Sequence, residues 1–158
     1  MMNNGQKREV QMASLSPLME EILRSGASVE LTVSGNSMWP MLRNQTSRVR
    51  LAPVSDLRKG DLPLYRRADG KFILHRVVGV ADGTYNCCGD NQWYIETGLK
   101  KTQMIAVVTH FTHKEHWVSV DNRLYRAYWR IWVAVRPLRR LVFGGLRRVK
   151  QVLRRLRG

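Results

Sequence analysis

Ala68-Asp69-Gly70-Lys71-Phe72-Ile73-Leu74-His75-Arg76-Val77-Val78-Gly79-Val80-Ala81-Asp82-Gly83 is an apolar, β-branched run set between two Asp-Gly turn signals. Asp-Gly flanked by such runs favours hairpin turns, because glycine and aspartate tolerate the positive φ these turns need. The spacing therefore predicts a strand from Lys71 to Val80, folding back onto Leu62–Arg66 on one side and onto Thr84–Cys88 on the other. Outward from this centre, Val29-Glu30-Leu31-Thr32-Val33 alternates apolar and polar residues, and 48–52 and 105–109 are further short β-like runs. Pro63 cannot donate to a ladder, so the 62–66 run is expected at a sheet edge or beside a bulge. The fold expected is mainly β: a compact antiparallel domain over residues 27–118, preceded by an N-terminal segment, 1–26, and followed by a helical tail, 119–158.

The N-terminal segment reads as one short helix. Ser16 is a candidate cap, Pro17 fits a first turn, and Gly26 suits the exit. Leu15, Leu18 and Ile22 form its expected apolar edge.

Charge is segregated along the chain. Of 158 residues, 27 are Lys or Arg and 12 are Asp or Glu, for a formal net charge of +15. Twelve of the basic residues and none of the acidic ones lie from Arg123 to Gly158, so the first 122 residues carry a net of only +3. A near-neutral globular part with a polycationic appendage points to an anionic partner for the tail alone. In that tail Tyr125, Tyr128, Trp129 and Trp132 recur at helical spacing, as do apolar residues from Leu138 to Leu156, divided by Pro137 and Gly144-Gly145. A basic amphipathic helix with aromatic residues suits an anionic membrane surface, with Trp129, Trp132, Arg130, Arg136, Arg139 and Arg140 as its contacts. Two other readings stay open: packing of the aromatic face on the chain's own β domain, and binding of the arginines to a nucleic-acid backbone.

Three residues carry chemistry. Ser37 lies in Ser34-Gly35-Asn36-Ser37-Met38-Trp39-Pro40, His75 lies in the central run, and Asp90 lies in Gly89-Asp90-Asn91. Taken singly, each suits an ordinary loop, strand or turn. Together they supply a hydroxyl nucleophile, a base that is neutral near pH 7, and a carboxylate to orient that base. An exposed hydroxyl beside free backbone N–H groups, as this Gly-Asn-Ser loop suggests, is what an oxyanion hole requires. Asp61, in Lys59-Gly60-Asp61, reads as a turn residue. His110, His113 and His116 lack supporting cysteine or carboxylate spacing, and Cys87 and Cys88 are adjacent without a C-x-x-C partner, so neither a metal nor a cofactor is implied.

The boxes Ser-Gly-Asn-Ser-Met-Trp-Pro-Met-Leu (34–42), Lys-Gly-Asp-Leu (59–62), His-Arg-Val-Val-Gly-Val (75–80) and Gly-Asp-Asn (89–91) resemble, in order, those of the signal peptidase I superfamily, which includes the LexA-type self-cleaving repressors. The resemblance spans roughly residues 29–109. It implies an all-β serine endopeptidase that cleaves precursor or leader peptides after small side chains, with Ser37 as nucleophile and an oxyanion hole made by the Ser37 N–H with help near Gly35. Histidine at position 75, where bacterial members carry lysine, resembles the archaeal and endoplasmic-reticulum branch and implies Asp90 as the orienting carboxylate. The alternative from the same resemblance is a non-proteolytic or self-cleaving regulatory module whose tail binds nucleic acid. The polar start, Met1 to Gln11, lacks the apolar core of a signal peptide, and no apolar run is long enough to span a bilayer. Peripheral attachment on the cytoplasmic side of a membrane is therefore expected.

Overall fold

In the computed structural model, which describes residues 12–138, strands hold 39% of the described residues against 21% in helices, so the described part of the protein is mainly β. Helix α1 (Met12–Arg24) leads into β1 (Val29–Thr32), β2 (Arg48–Pro53), β3 (Pro63–Arg66), β4 (Phe72–Leu74), β5 (Arg76–Ala81), β6 (Thr84–Cys88), β7 (Glu96–Lys100), β8 (Met104–His113) and β9 (His116–Ser119), and helix α2 (Arg123–Ala134) follows. Pairing is antiparallel throughout. One sheet runs β1-β2-β8-β3-β4, with β9 added to β8, and the other runs β5-β6-β7. Among the described residues no helix is long and apolar enough to cross a membrane.

Both Asp-Gly turns form hairpins, β3–β4 and β5–β6. The run from Lys71 to Val80, however, is not one strand. It breaks at His75, where the chain leaves the larger sheet (β4) and enters the smaller one (β5). Side chains alternate across each strand. Thus Leu64, Phe72 and Leu74 join a core cluster with Leu51, Ala106 and Val108, while Tyr65 and Ile73 turn to a second cluster with Val77, Tyr85, Cys87 and Leu99. His75 sits at the joint between these clusters.

Of the two settings that Pro63 suggests, a bulge is found and an edge is not, since β3 lies between β8 and β4. Pro63 is tolerated as its first residue, and a register shift follows at Leu64/Tyr65. Helix α1 starts before Pro17 and runs through it, so proline is interior and removes one ladder donor. The buried face of α1 is Met19 and Leu23, with Ile22 half-buried and Leu18 exposed. The Leu15 side chain and the Ser16 cap lie outside the described side chains.

Helix α2 is part of the globular body rather than a separate tail. Asn122 Oδ1 caps it, accepting from the N–H groups of Leu124 and Tyr125 at 2.9 and 3.2 Å. Tyr125 is buried against Phe111, with ring centroids 4.9 Å apart, and Tyr128 and Trp129 pack on the larger cluster. Trp129 fills the space over Gly60. A Cβ there would stand 2.4 Å from the indole, and Gly60 has φ +104°, so glycine is required for both space and backbone.

Candidate functional site

Ser37 lies in the long connection between β1 and β2, at the start of a turn. Met38, Met41 and Leu42, at the i, i+3, i+4 spacing of a single helical face, are all buried in the larger cluster. This anchors the turn and leaves the half-buried Ser37 toward the surface. The backbone N–H groups of Ser37 and Met38 open the turn, and neither donates to any group among the described residues. Gly35 does not help in the expected way, because its N–H donates to Asn44 Oδ1 at 2.8 Å. The free donor beside Ser37 is that of Met38, and Gly35 is corrected to a loop-forming residue.

The three predicted segments converge through backbone contacts. The Asn91 N–H donates to the Ser37 carbonyl at 2.8 Å, and Asn91 Nδ2 donates to the Asn36 carbonyl at 3.1 Å. Gly89 lies so close that a Cβ would stand 2.7 Å from the Ser37 carbonyl oxygen. One residue before Gly89, Cys88 pairs with Arg76, the neighbour of His75. No hydrogen bond joins Ser37 Oγ to the imidazole among the described residues. Trp39, on the Ser37 turn, and Trp93 and Tyr94, between Asp90 and Glu96, have exposed rings, the last two edge to face with centroids 6.2 Å apart.

His75 is only 2% exposed, and its ring is held from the Nδ1 side. Nδ1 lies 3.2 Å from Glu96 Oε1 and 3.2 Å from the Tyr65 hydroxyl, and that hydroxyl donates to Glu96 Oε1 at 2.8 Å. Since the tyrosine proton goes to Glu96, Nδ1 faces two acceptors and carries the ring proton. This network assigns the tautomer and leaves the Nε2 lone pair unprotonated. Nε2 makes no hydrogen bond among the described residues.

Charge around the ring is balanced by Arg67, whose Nε donates to Glu96 Oε2 at 2.7 Å and whose Nη2 donates to Oε1. Burial would raise the Glu96 carboxyl, but the hydrogen bonds from Arg67 and Tyr65 outweigh it and hold Glu96 below the usual carboxylate range. Burial pulls the His75 imidazole down to about 4, against the opposing field of Glu96, so the ring is neutral at pH 7. Burial and the adjacent Glu96 push the Tyr65 phenol well above its ordinary value, so it stays a neutral donor.

The expectation that Asp90 orients His75 is corrected. Arg76 engages both Asp90 oxygens, Nε with Oδ1 at 2.9 Å and Nη2 with Oδ2 at 2.7 Å. The same guanidinium donates through Nη1 to the Gly60 carbonyl at 3.1 Å and to the Tyr125 hydroxyl at 2.8 Å. Arg76 is fully enclosed, and Asp90 nearly so. Their bidentate pair fixes the 89–91 loop against which the Ser37 carbonyl rests. The physical reason is strand alternation: His75 and Arg76 are successive residues and direct their side chains oppositely, so each finds a different carboxylate. Asp61 serves as expected in its turn, accepting from the Arg58 N–H at 2.7 Å.

Trp129 and Trp132 were also expected elsewhere. Trp129 covers Gly60, and Trp132 Nε1 donates to the Asp90 carbonyl at 3.0 Å while its ring stacks on Tyr128. Both rings pack on the chain's own body, one of the readings that the sequence leaves open for this helix. Arg130 is exposed and Arg136 half-buried, while Arg139, Arg140 and the apolar residues that follow lie outside the described residues. Glu96, Tyr65 and Arg67 are the site residues that sequence reasoning missed. Glu96 opens β7, a strand whose Glu-Thr-Gly-Leu-Lys sequence lacks apolar alternation, and it reaches the ring only because it pairs opposite Cys87 on β6.

No protein-family model matches this chain, and no curated protein matches it at a significant level.

Proposed function

We propose that the protein is a serine endopeptidase of signal-peptidase type, acting on a precursor or leader polypeptide and held at an anionic membrane surface by its basic C-terminal region. The observation that carries this reading is the buried, neutral His75, its Nδ1 proton directed at Glu96 and Tyr65 and its Nε2 lone pair left available, one residue from the strand that fixes the Ser37 loop. In the proposed reaction Ser37 Oγ attacks the scissile carbonyl carbon as its proton passes to His75 Nε2. The resulting oxyanion is received by the N–H groups of Ser37 and Met38. The C–N bond then breaks, the Nε2 proton goes to the leaving amine, and an acyl-Ser37 ester remains. Water, giving its proton to Nε2, hydrolyses the ester, and the proton returns to Ser37. Glu96 stabilises the transient imidazolium, and Tyr65 and Arg67 hold Glu96 in place. The exposed Trp39, Trp93 and Tyr94 suit an apolar stretch of substrate.

A serine-reactive acylating probe, read by intact mass, tests the mechanism. The parent chain is expected to gain one adduct on Ser37, and Ser37→Ala and His75→Ala are expected to gain none while keeping the parent circular dichroism. Undiminished labelling of a folded Ser37→Ala variant overturns the assignment.

A further inference from the structure

With Tyr125, Tyr128, Trp129 and Trp132 turned inward, the rest of the α2 surface is exposed, and it is not uniformly polar. Leu124 and Ile131 on the helix, and Leu138 in the helical residues 136–138 that follow, are 82%, 63% and 61% exposed. Spaced seven apart, they fall on one line two turns of helix at a time, and the exposed Ala127 and Ala134 continue the line between them. At 100° per residue, Arg123, Arg126 and Arg130 form an exposed row along one side of this line. No acidic residue occurs after Asp121, and residues 139–158 add eight more basic groups.

We infer that this outward line of Leu124, Ile131 and Leu138, with its arginine flank, is the surface by which the protein docks on an anionic lipid bilayer. Leucine and isoleucine enter the acyl boundary while the arginines meet headgroup phosphates, the division of labour of an interfacial helix. The choice of occupant follows from the combination. A nucleic-acid backbone satisfies arginines but gives no cover to a leucine–isoleucine row. A second copy of the chain covers the row but brings two arginine flanks together without an acidic group on either helix. A bilayer with acidic headgroups satisfies both. The aromatic residues that suggest membrane contact in the sequence instead couple α2 to the 89–91 loop through Trp132 and Asp90, so docking places the Ser37 loop about one helix diameter, ~10 Å, from the lipid. This inference rests on the membrane half of the proposed function and is independent of the Ser37 chemistry.

The test is cosedimentation of the full chain with phosphatidylcholine vesicles, with and without phosphatidylglycerol. The parent is expected to bind only the anionic vesicles. The L124Q/I131Q/L138Q variant is expected to lose ~10-fold or more in partitioning, with circular dichroism and melting unchanged. The single I131Q variant is expected to show a smaller loss and serves if the triple variant unfolds. R123Q/R126Q/R130Q is expected to weaken binding and flatten its salt dependence. Binding of the folded triple variant equal to the parent's overturns the inference, leaves residues 139–158 as the anchor and keeps the membrane reading. No binding of the parent to anionic vesicles overturns both. A parent that self-associates through this row, or duplex DNA that displaces it from vesicles and binds the triple variant equally well, overturns the inference in favour of those partners.

Discussion

His75 and Arg76 are neighbours in the chain, and each is buried against a carboxylate, yet the two clusters do opposite work. Around His75, burial keeps the imidazole neutral against the field of Glu96, whose charge Arg67 already matches, and Nε2 keeps its lone pair. Around Arg76, one arginine and one aspartate offset each other, and the remaining donors go to Gly60, Tyr125 and the Met41 sulfur. In the proposed reaction the first cluster moves a proton. The second is a rivet holding β5, the 89–91 loop and α2 together. A buried carboxylate near a histidine is thus not by itself its partner. Each carboxylate is held through both oxygens by one arginine, and it is the opposite direction of successive side chains that sets His75 against Glu96 and Arg76 against Asp90.

Removing the rivet should have the largest effect. Arg76→Met leaves Asp90 enclosed without its counter-charge, and a loss of about 3–5 kcal/mol in urea unfolding is expected; a loss below about 1 kcal/mol would show that the two clusters do not differ in this way. Next comes the carboxylate assignment. Glu96→Gln should slow acylation of Ser37 by the serine-reactive probe by about 10²- to 10⁴-fold, while Asp90→Asn, assayed where it is folded, should stay within about 10-fold of the parent. The reverse order would return the orienting role to Asp90.

The titration of His75 sharpens the same contrast. Because its folded value is about 4, acylation in the parent should persist as pH falls from 7 and disappear only as the ring protonates near that value. Stability runs differently. The unfolded chain protonates this histidine near its ordinary value of ~6.5, so between there and about 4 it binds more protons than the native state, and stability falls as pH is lowered through that window. An acylation profile breaking near 6.5 would mean that burial does not govern the ring. The smallest expected effect lies at the edge of the rivet. Gly60→Ala, which drives a Cβ into the Trp129 ring at a positive-φ position, should cost about 1–3 kcal/mol in thermal or urea unfolding. Pairing it with Trp129→Leu should recover part of that loss.

Much of the β architecture is legible in local chemistry. Asp69-Gly70 and Asp82-Gly83 mark their hairpins because the turn itself demands those residues. Met38, Met41 and Leu42 mark the buried side of the Ser37 turn by spacing alone. The break at His75 is less visible, since both halves of the 71–80 run are apolar and β-branched, and the change of sheet leaves no mark on composition. β7 escapes notice for the opposite reason: only Leu99 of its residues is apolar, because the rest face solvent or, in Glu96, turn toward the ring.

From its order of residues alone, this chain determines antiparallel hairpins, a serine, a histidine and an aspartate on three separate segments, and a basic C-terminal region, 123–158, with one strongly apolar helix face. Turn preference, side-chain period and charge are local quantities and need no partner. The three-dimensional arrangement decides that Glu96 rather than Asp90 meets the imidazole, and that the aromatic face of α2 lies on protein while a leucine–isoleucine row faces outward. Those outcomes depend on cross-strand register and on which surfaces meet, and an amphipathic pattern specifies that an apolar face must be covered without specifying by what.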